Sequence, residues 1–187
     1  MTTPQIPESP EEISDGAVVL RPWREEDVAT QLAAWRDPMF QRFSDWAPGN
    51  AREAVQRLEA QRAMRAEGLG AAFAICDLDP SEQALGEVSI NGIDPTNRSA
   101  SIGYWLSPAA RGRGVVTRAV RLASRFAFDR LGLIRIELIC GPDNTASAAV
   151  AQRAGFTFEG RLRSNYLFKG RFRDSLVFSL LSDDEGY

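Results

Sequence analysis

The stretch from Gly70 to Ser107 holds three apolar segments in close succession, GAAFAICDL, LGEVSINGI and SASIGYWLS. They are joined by DPSEQ and DPTNR, and two acid-proline pairs between such runs are turn signals. The segments therefore read as an antiparallel meander, which commits this part of the chain to a sheet. Immediately after it, Val116, Ala119, Val120, Ala123, Phe126, Ala127 and Leu131 recur at helical spacing. Arg118, Arg121, Arg125 and Asp129 fall outside that stripe, and Gly132 supplies the stop.

The same periodicities order the rest. AVVLRPW reads as a first strand, EEDVATQLAAWRD as a helix opened by acidic residues, and NAREAVQRLEAQRAMRAEG as a second helix between the caps Asn50 and Gly68. Beyond Gly132, LIRIELIC is a strand, NTASAAVAQRAG a short helix, and FTFEGRLR and FRDSLVFSLL two more strands. The order is β-α-α-β-β-β-α-β-α-β-β without an internal repeat. At 187 residues, 44% of them hydrophobic, the chain suits one domain over residues 17–181. Pro4, Pro7 and Pro10 among polar residues mark 1–16 as a disordered tail, and SDDEGY over 182–187 as an acidic one.

Composition excludes several chemistries. With no histidine, Ser/His/Asp and Cys/His triads and histidine metal sites are impossible. Cys76 and Cys140 lack metal-ligand spacing and read as packing residues, so no metal is expected. The formal net charge of -3 gives no overall attraction to nucleic acid or anionic lipid. The N-terminal residues lack a secretory pattern and no run is long enough to span a bilayer, so a cytoplasmic location with neither a nucleic-acid nor a membrane partner is expected.

Between the meander and the long helix lies SPAARGRGVVTRAV. A strand that enters a glycine turn and then a helix aims free backbone N–H groups and the positive end of the helix dipole at one point, which suits an anion. Gly112 and Gly114 permit close approach, and Arg111 and Arg113 carry charge-assisted donors, an arrangement fit for a diphosphate. A solvated surface turn is the plainer alternative. Neither the triphosphate loop pattern nor the dinucleotide fingerprint is present, which disfavours simple nucleotide binding.

These residues resemble the GNAT superfamily of acyl-CoA-dependent N-acetyltransferases, and in particular its ribosomal-protein N-terminal acetyltransferase-like branch. The pyrophosphate motif [QR]-x-x-G-x-[GA] is matched by Arg111, Gly112, Arg113, Gly114 and Val115, with Val116 standing where the motif has glycine or alanine. A second motif is matched by Asn144, Ser147, Val150, Arg153, Gly155, Phe156, Glu159, Gly160 and Arg163, and a closing one runs from Asp174 to Leu181. The resemblance implies an α/β (α+β) fold with a mixed sheet of about seven strands and about four helices. It implies acetyl-CoA as donor, its pyrophosphate held from Arg111 to Thr117 (Val115 and Thr117 included, and Val116 through its backbone). The pantetheine arm would lie between Gly103–Ser107 and Leu133–Cys140, hydrogen-bonded by the backbone of Trp105 and Leu106. Homodimers are common in the family.

The implied activity is acetyl transfer to a primary amine, a protein N-terminus or a small molecule such as a polyamine or an antibiotic. The alternative is a non-catalytic acyl-CoA-binding domain. Ser147 is the candidate for protonating the departing thiolate, or else an ordinary first-turn serine; Asn144 caps its helix, binds pantetheine, or does both. Glu87 lies opposite Val88 and Ile90 on its strand, as a general base facing a cleft or as a solvated strand glutamate. Tyr104 is a third candidate or a core tyrosine, and Asp45 and Trp46 belong to an acceptor pocket or to a simple turn.

Overall fold

The computed structural model describes residues 6, 13–45, 49–78 and 83–184. Its elements are β1 (Ile13–Ser14), β2 (Val18–Arg21), α1 (Val28–Trp35), α2 (Pro38–Phe43), α3 (Ala51–Ala66), β3 (Gly70–Asp77), β4 (Ala84–Asp94), β5 (Ser99–Leu106), α4 (Val115–Asp129), β6 (Arg135–Cys140), α5 (Thr145–Arg153), β7 (Thr157–Phe168) and β8 (Arg171–Leu181). Each periodic segment of the sequence takes its expected form. Two short elements, β1 and α2, raise the described totals from about seven strands and four helices to eight and five.

Both additions have local causes. Asp15 and Gly16 (φ 84°) close a hairpin in which Ile13 pairs with Leu20 and Ser14 with Val19, so described order begins before Ala17, inside the expected tail. The Asp15 carboxylate accepts from Val18 N at 2.9 Å and from Arg118 of α4 at 2.8 Å, and Ile6 is buried against the core. At α2, Asp37 caps the helix by accepting from Phe40 N at 2.9 Å, and Pro38 occupies its first position. Its side chains bury nothing fully, so no apolar stripe announces it. The described part of the acidic tail folds back, with Ser182 N donating to Ile134 O at 3.1 Å.

The strands form one sheet in the order β1-β2-β3-β4-β5-β6-β8-β7. Every neighbouring pair is antiparallel except β5 and β6, which pair in parallel over three positions only, Ser99 with Arg135, Ala100 with Ile136 and Ser101 with Glu137. Alternation along β3 and β4 sends Phe73, Ile75, Val88 and Ile90 to the face covered by α4, and Ala74 and Cys76 to the face covered by α1 and α3. The sheet thus separates a large core from a smaller one. Among the described residues no helix is long and apolar enough to cross a membrane.

One ion pair ties β2 to the start of α1. Arg21 donates to both carboxylate oxygens of Asp27, at 2.7 and 2.9 Å, and Arg24 N donates to the same carboxylate at 2.9 Å. Both side chains are almost fully enclosed. Removing one partner strands a buried charge, so Asp27→Ala is expected to cost about 3–5 kcal/mol in urea unfolding. The paired change Arg21→Met with Asp27→Leu should cost far less, and an equal loss in both variants would mean that packing rather than charge sets the penalty.

Candidate active site

Beyond Ser101 the parallel strands part. Gly103 to Leu106 remain paired with β4 through Ser89, Val88, Glu87 and Gly86, while Leu138 to Cys140 follow β8 instead. A cavity of about 1100 Å³ opens in this gap, reaching from the loop before α4 across to α2 and the β7–β8 hairpin. Trp105 and Leu106 border it, as do Arg111, Gly112, Gly114 to Thr117, Asn144 and Ser147. Ten of the twelve site residues expected from the sequence therefore line one cavity. Arg113 and Glu87 do not.

The loop is shaped for an anion through its backbone. Gly112 and Gly114 hold φ values of 76° and 77°, a left-handed conformation that glycine adopts without penalty. Gly114 is the N-cap of α4 and no side chain caps the helix, so the first-turn N–H groups of Val115, Val116 and Thr117 lie uncapped beside the cavity. Val115 is buried in the core, whereas Val116 is half-buried and faces the cavity wall. The two arginines do less than their spacing suggested. Arg113 turns outward to Asp77 of β3 at 2.7 Å. Arg111 is held by Asp37 at 2.6 Å and by the Leu106 carbonyl at 3.0 Å, which joins the loop to the cap of α2 and engages an oxygen expected for pantetheine. The Arg111 pair holds the Asp37 carboxyl below its usual range.

At the parting of the strands Tyr104 and Ser147 meet. Their hydroxyl oxygens are 2.7 Å apart, and Ser147 N donates to the Asn144 side chain at 3.1 Å, which makes Asn144 the cap of α5. Burial pushes the Tyr104 phenol up to about 12, opposed by the Ser147 hydrogen bond. Burial also raises the Cys140 thiol, which lines the same wall, opposed by the Ser147 hydroxyl. A serine backed by a neutral phenol is a proton donor set, with no group in it poised as a strong base.

Glu87 is corrected by its surroundings. Alternation placed it opposite Val88 and Ile90, as expected, but that face is covered by α3: Glu87 is 2% exposed, accepting from Arg57 at 2.6 Å and Gln61 at 3.0 Å. A carboxylate committed to a guanidinium and an amide is a structural anion rather than a base. Arg57, which no motif flagged, is the member of that pair that reaches the cavity. Asp45 accepts from the Tyr166 hydroxyl at 3.1 Å at the rim of the cavity, and Trp46 lies outside the described residues. Cys76 is buried in the smaller core. Among the described residues no group of three or more His, Cys, Asp or Glu side chains could hold a metal ion.

Residues 17–157 match the family model described as an acetyltransferase (GNAT) domain. The chain belongs to the GNAT acetyltransferase family. Within it, the chain is 31% identical over 168 residues to the uncharacterized N-acetyltransferase p20 of Bacillus licheniformis, spanning 88% of this chain and 92% of that one. It is 30% identical over 104 residues to the ribosomal-protein-serine acetyltransferase of Escherichia coli, spanning 56% and 58%. Against YdaF and YjcK of Bacillus subtilis the match spans only about half of each relative, 52% and 49%. In structure, the GNAT chain superposes on the ribosomal L7/L12 α-N-protein acetyltransferase RimL in complex with coenzyme A, with a TM-score of 0.83, 26% identity and coverage of 94% of this chain and 100% of that one.

The Tyr104 environment sets a titration. Because its folded value lies above the ordinary phenol value, the stability it lends is fully present below about pH 10 and is lost as pH rises through about 12. Burial and the neighbouring Asp45 carboxylate raise Tyr166 too, so a spectrophotometric titration should contain a last-ionising tyrosine near 12 that disappears in Tyr104→Phe; an unchanged curve in that variant would place Tyr104 in a wetter site.

Proposed function

We propose that this chain transfers the acetyl group of acetyl-CoA to a primary amine by direct attack of the amine within a ternary complex. The observation that carries the reading is the Tyr104–Ser147 hydroxyl pair at the parting of β5 and β6, in the same cavity as an uncapped helix start behind left-handed glycines. The family assignment supports it, and RimL supplies a relative crystallised with coenzyme A.

The donor's pyrophosphate would rest on the N–H groups from Gly112 to Thr117, and its pantetheine amides along the β6-facing edge of β5 at Trp105 and Leu106. The chain's chief contribution is alignment of the amine with the thioester carbonyl, worth several kcal/mol of the barrier. Ser147 delivers its proton to the departing thiolate and takes one back across the short contact with Tyr104, whose phenol regains its own from solvent as the attacking nitrogen releases a proton to solvent, so that neither hydroxyl is left ionised. The attacking amine must arrive neutral. Among the described residues no carboxylate lines the cavity, so no acidic side chain in its wall holds the amine as an ammonium ion.

Release of free thiol from acetyl-CoA, measured across N-terminal peptides, small amines and polyamines, tests the reading. Turnover with at least one amine class is expected. Acetyl-CoA binding with no turnover across the panel would favour a binding domain, and no acetyl-CoA binding at all would end the proposal. Ser147→Ala should lower kcat about 10- to 1000-fold while KM for acetyl-CoA moves little. Equal activity in that variant would remove the serine from the mechanism. Gly114→Ala forces a Cβ into a left-handed turn and should weaken acetyl-CoA binding about tenfold in calorimetry with the fold retained.

A further inference from the structure

The helix α2 is fastened to its surroundings largely by polar contacts. None of its six side chains is fully buried, although Met39, Phe40 and Phe43 line the cavity and Phe40 packs half-buried against the smaller core. Toward its end, Arg42 approaches Asp143 at 3.8 Å, Lys169 donates to the Gln41 carbonyl, and Tyr166 donates to Asp45 at 3.1 Å. At its start, the cap residue Asp37 meets Arg111 of the loop before α4 at 2.6 Å.

That last contact crosses the place assigned to the donor. Ser107 N donates to Leu85 O at 2.8 Å, and the Leu106 carbonyl, in the same trans peptide, points the opposite way, to the edge of β5 that β6 has left. Arg111 Nη2 donates to this carbonyl at 3.0 Å and to Asp37 Oδ2 at 2.6 Å. The same Oδ2 accepts from Phe40 N at 2.9 Å, the bond that caps α2. One guanidinium nitrogen thus bridges the free edge of β5 and the start of α2.

A donor seated as proposed above brings a pantetheine amide to the Leu106 carbonyl and a diphosphate to the loop that carries Arg111. The amide competes for the carbonyl, and the diphosphate, with more charge than one carboxylate, competes for the guanidinium. We infer that Asp37 couples the two ends of the cavity: the arriving donor draws Arg111 away from Asp37, and α2 loosens at its start, opening to the acceptor the wall that it forms with the β7–β8 hairpin. The inference rests on the acetyl-transfer reading and adds to it a positioning residue, since Asp37 is not among the residues that line the cavity. Breaking the Asp37–Arg111 pair opposes donor binding, so anything that loosens the pair beforehand strengthens donor binding by the same factor. Both side chains are partly exposed, which sets that factor at about two- to fivefold.

Amide hydrogen exchange at Phe40, Gln41 and Ser44 reports on α2, because these N–H groups bond to the Asp37 carboxylate, the Asp37 carbonyl and the Phe40 carbonyl. Saturating acetyl-CoA should speed their exchange about two- to fivefold while the loop over 111–118 slows. Asp37→Asn keeps a capping side chain and removes the charge. In that variant α2 should exchange at the faster rate without donor and respond less than about twofold to acetyl-CoA, and calorimetry should show acetyl-CoA bound about two- to fivefold tighter. In an Arg111→Gln background the same substitution should bring no gain, which separates this pair from a general loss of negative charge. The exchange measurement on the unaltered protein stands on its own should a variant fail to fold. Unchanged or slowed exchange of α2 with acetyl-CoA bound, equal or weaker donor binding in Asp37→Asn, or a gain that survives without Arg111 would each overturn the inference. The two readings fail separately: acetyl-CoA binding with α2 unaffected removes the coupling and leaves acetyl transfer standing, whereas absence of acetyl-CoA binding removes the donor site itself.

Discussion

Three residue pairs hold β5 to β6, and the rest of the molecule is arranged around how few they are. Parallel strands require a crossover, here α4, and its packing of Ala119, Val120, Ala123 and Phe126 on the sheet fixes where β5 ends and the loop begins. With β6 committed to β8 over six positions and β5 to β4 along most of its length, neither strand can close on the other beyond Ser101 and Glu137. The unpaired edge left on β5, the uncapped start of α4 and the cap of α5 then converge on one opening. A fully paired β5 and β6 would bury Tyr104 and Ser147 in an ordinary core.

Electrostatics around that opening follow a common pattern. Arg57, Arg111 and Arg173 line the cavity, and each is paired with a carboxylate that does not, Glu87, Asp37 and Asp143 in turn. Such pairs repay their desolvation poorly as stabilising devices, particularly where one member is as enclosed as Glu87. Their value lies in position. They hold flat donor groups at fixed places on the wall, and they leave the amine with no carboxylate to bind it as an ammonium ion.

Much of this was legible in the chain. Periodicity located every long strand and helix, and the glycine turn before α4 was legible because left-handed φ and an open helix start are local properties. The Asn144 cap and its neighbour Ser147 were equally local. What stayed hidden depends on partners distant in sequence. Glu87 faces away from Val88 as alternation required, yet only Arg57, 30 residues earlier, makes it a structural anion. Arg113 looked like a phosphate ligand until Asp77, 36 residues away, claimed its guanidinium. Tyr104 and Ser147 are 43 residues apart, and nothing in either segment says that their hydroxyls touch. The helix α2 escaped because six residues with no buried face leave no period to read, although Asp37 and Pro38 carried its start signal.

We propose that the donor lies along the free edge of β5 with its pyrophosphate on the loop from Arg111 to Thr117. Amide hydrogen exchange, followed by mass spectrometry with and without acetyl-CoA, reads that edge and that loop directly. Slowed exchange confined to peptides covering residues 104–107, 111–118 and 144–148, with the rest of the sheet unchanged, is the predicted result. Protection that falls elsewhere, or that omits the loop, would contradict the account.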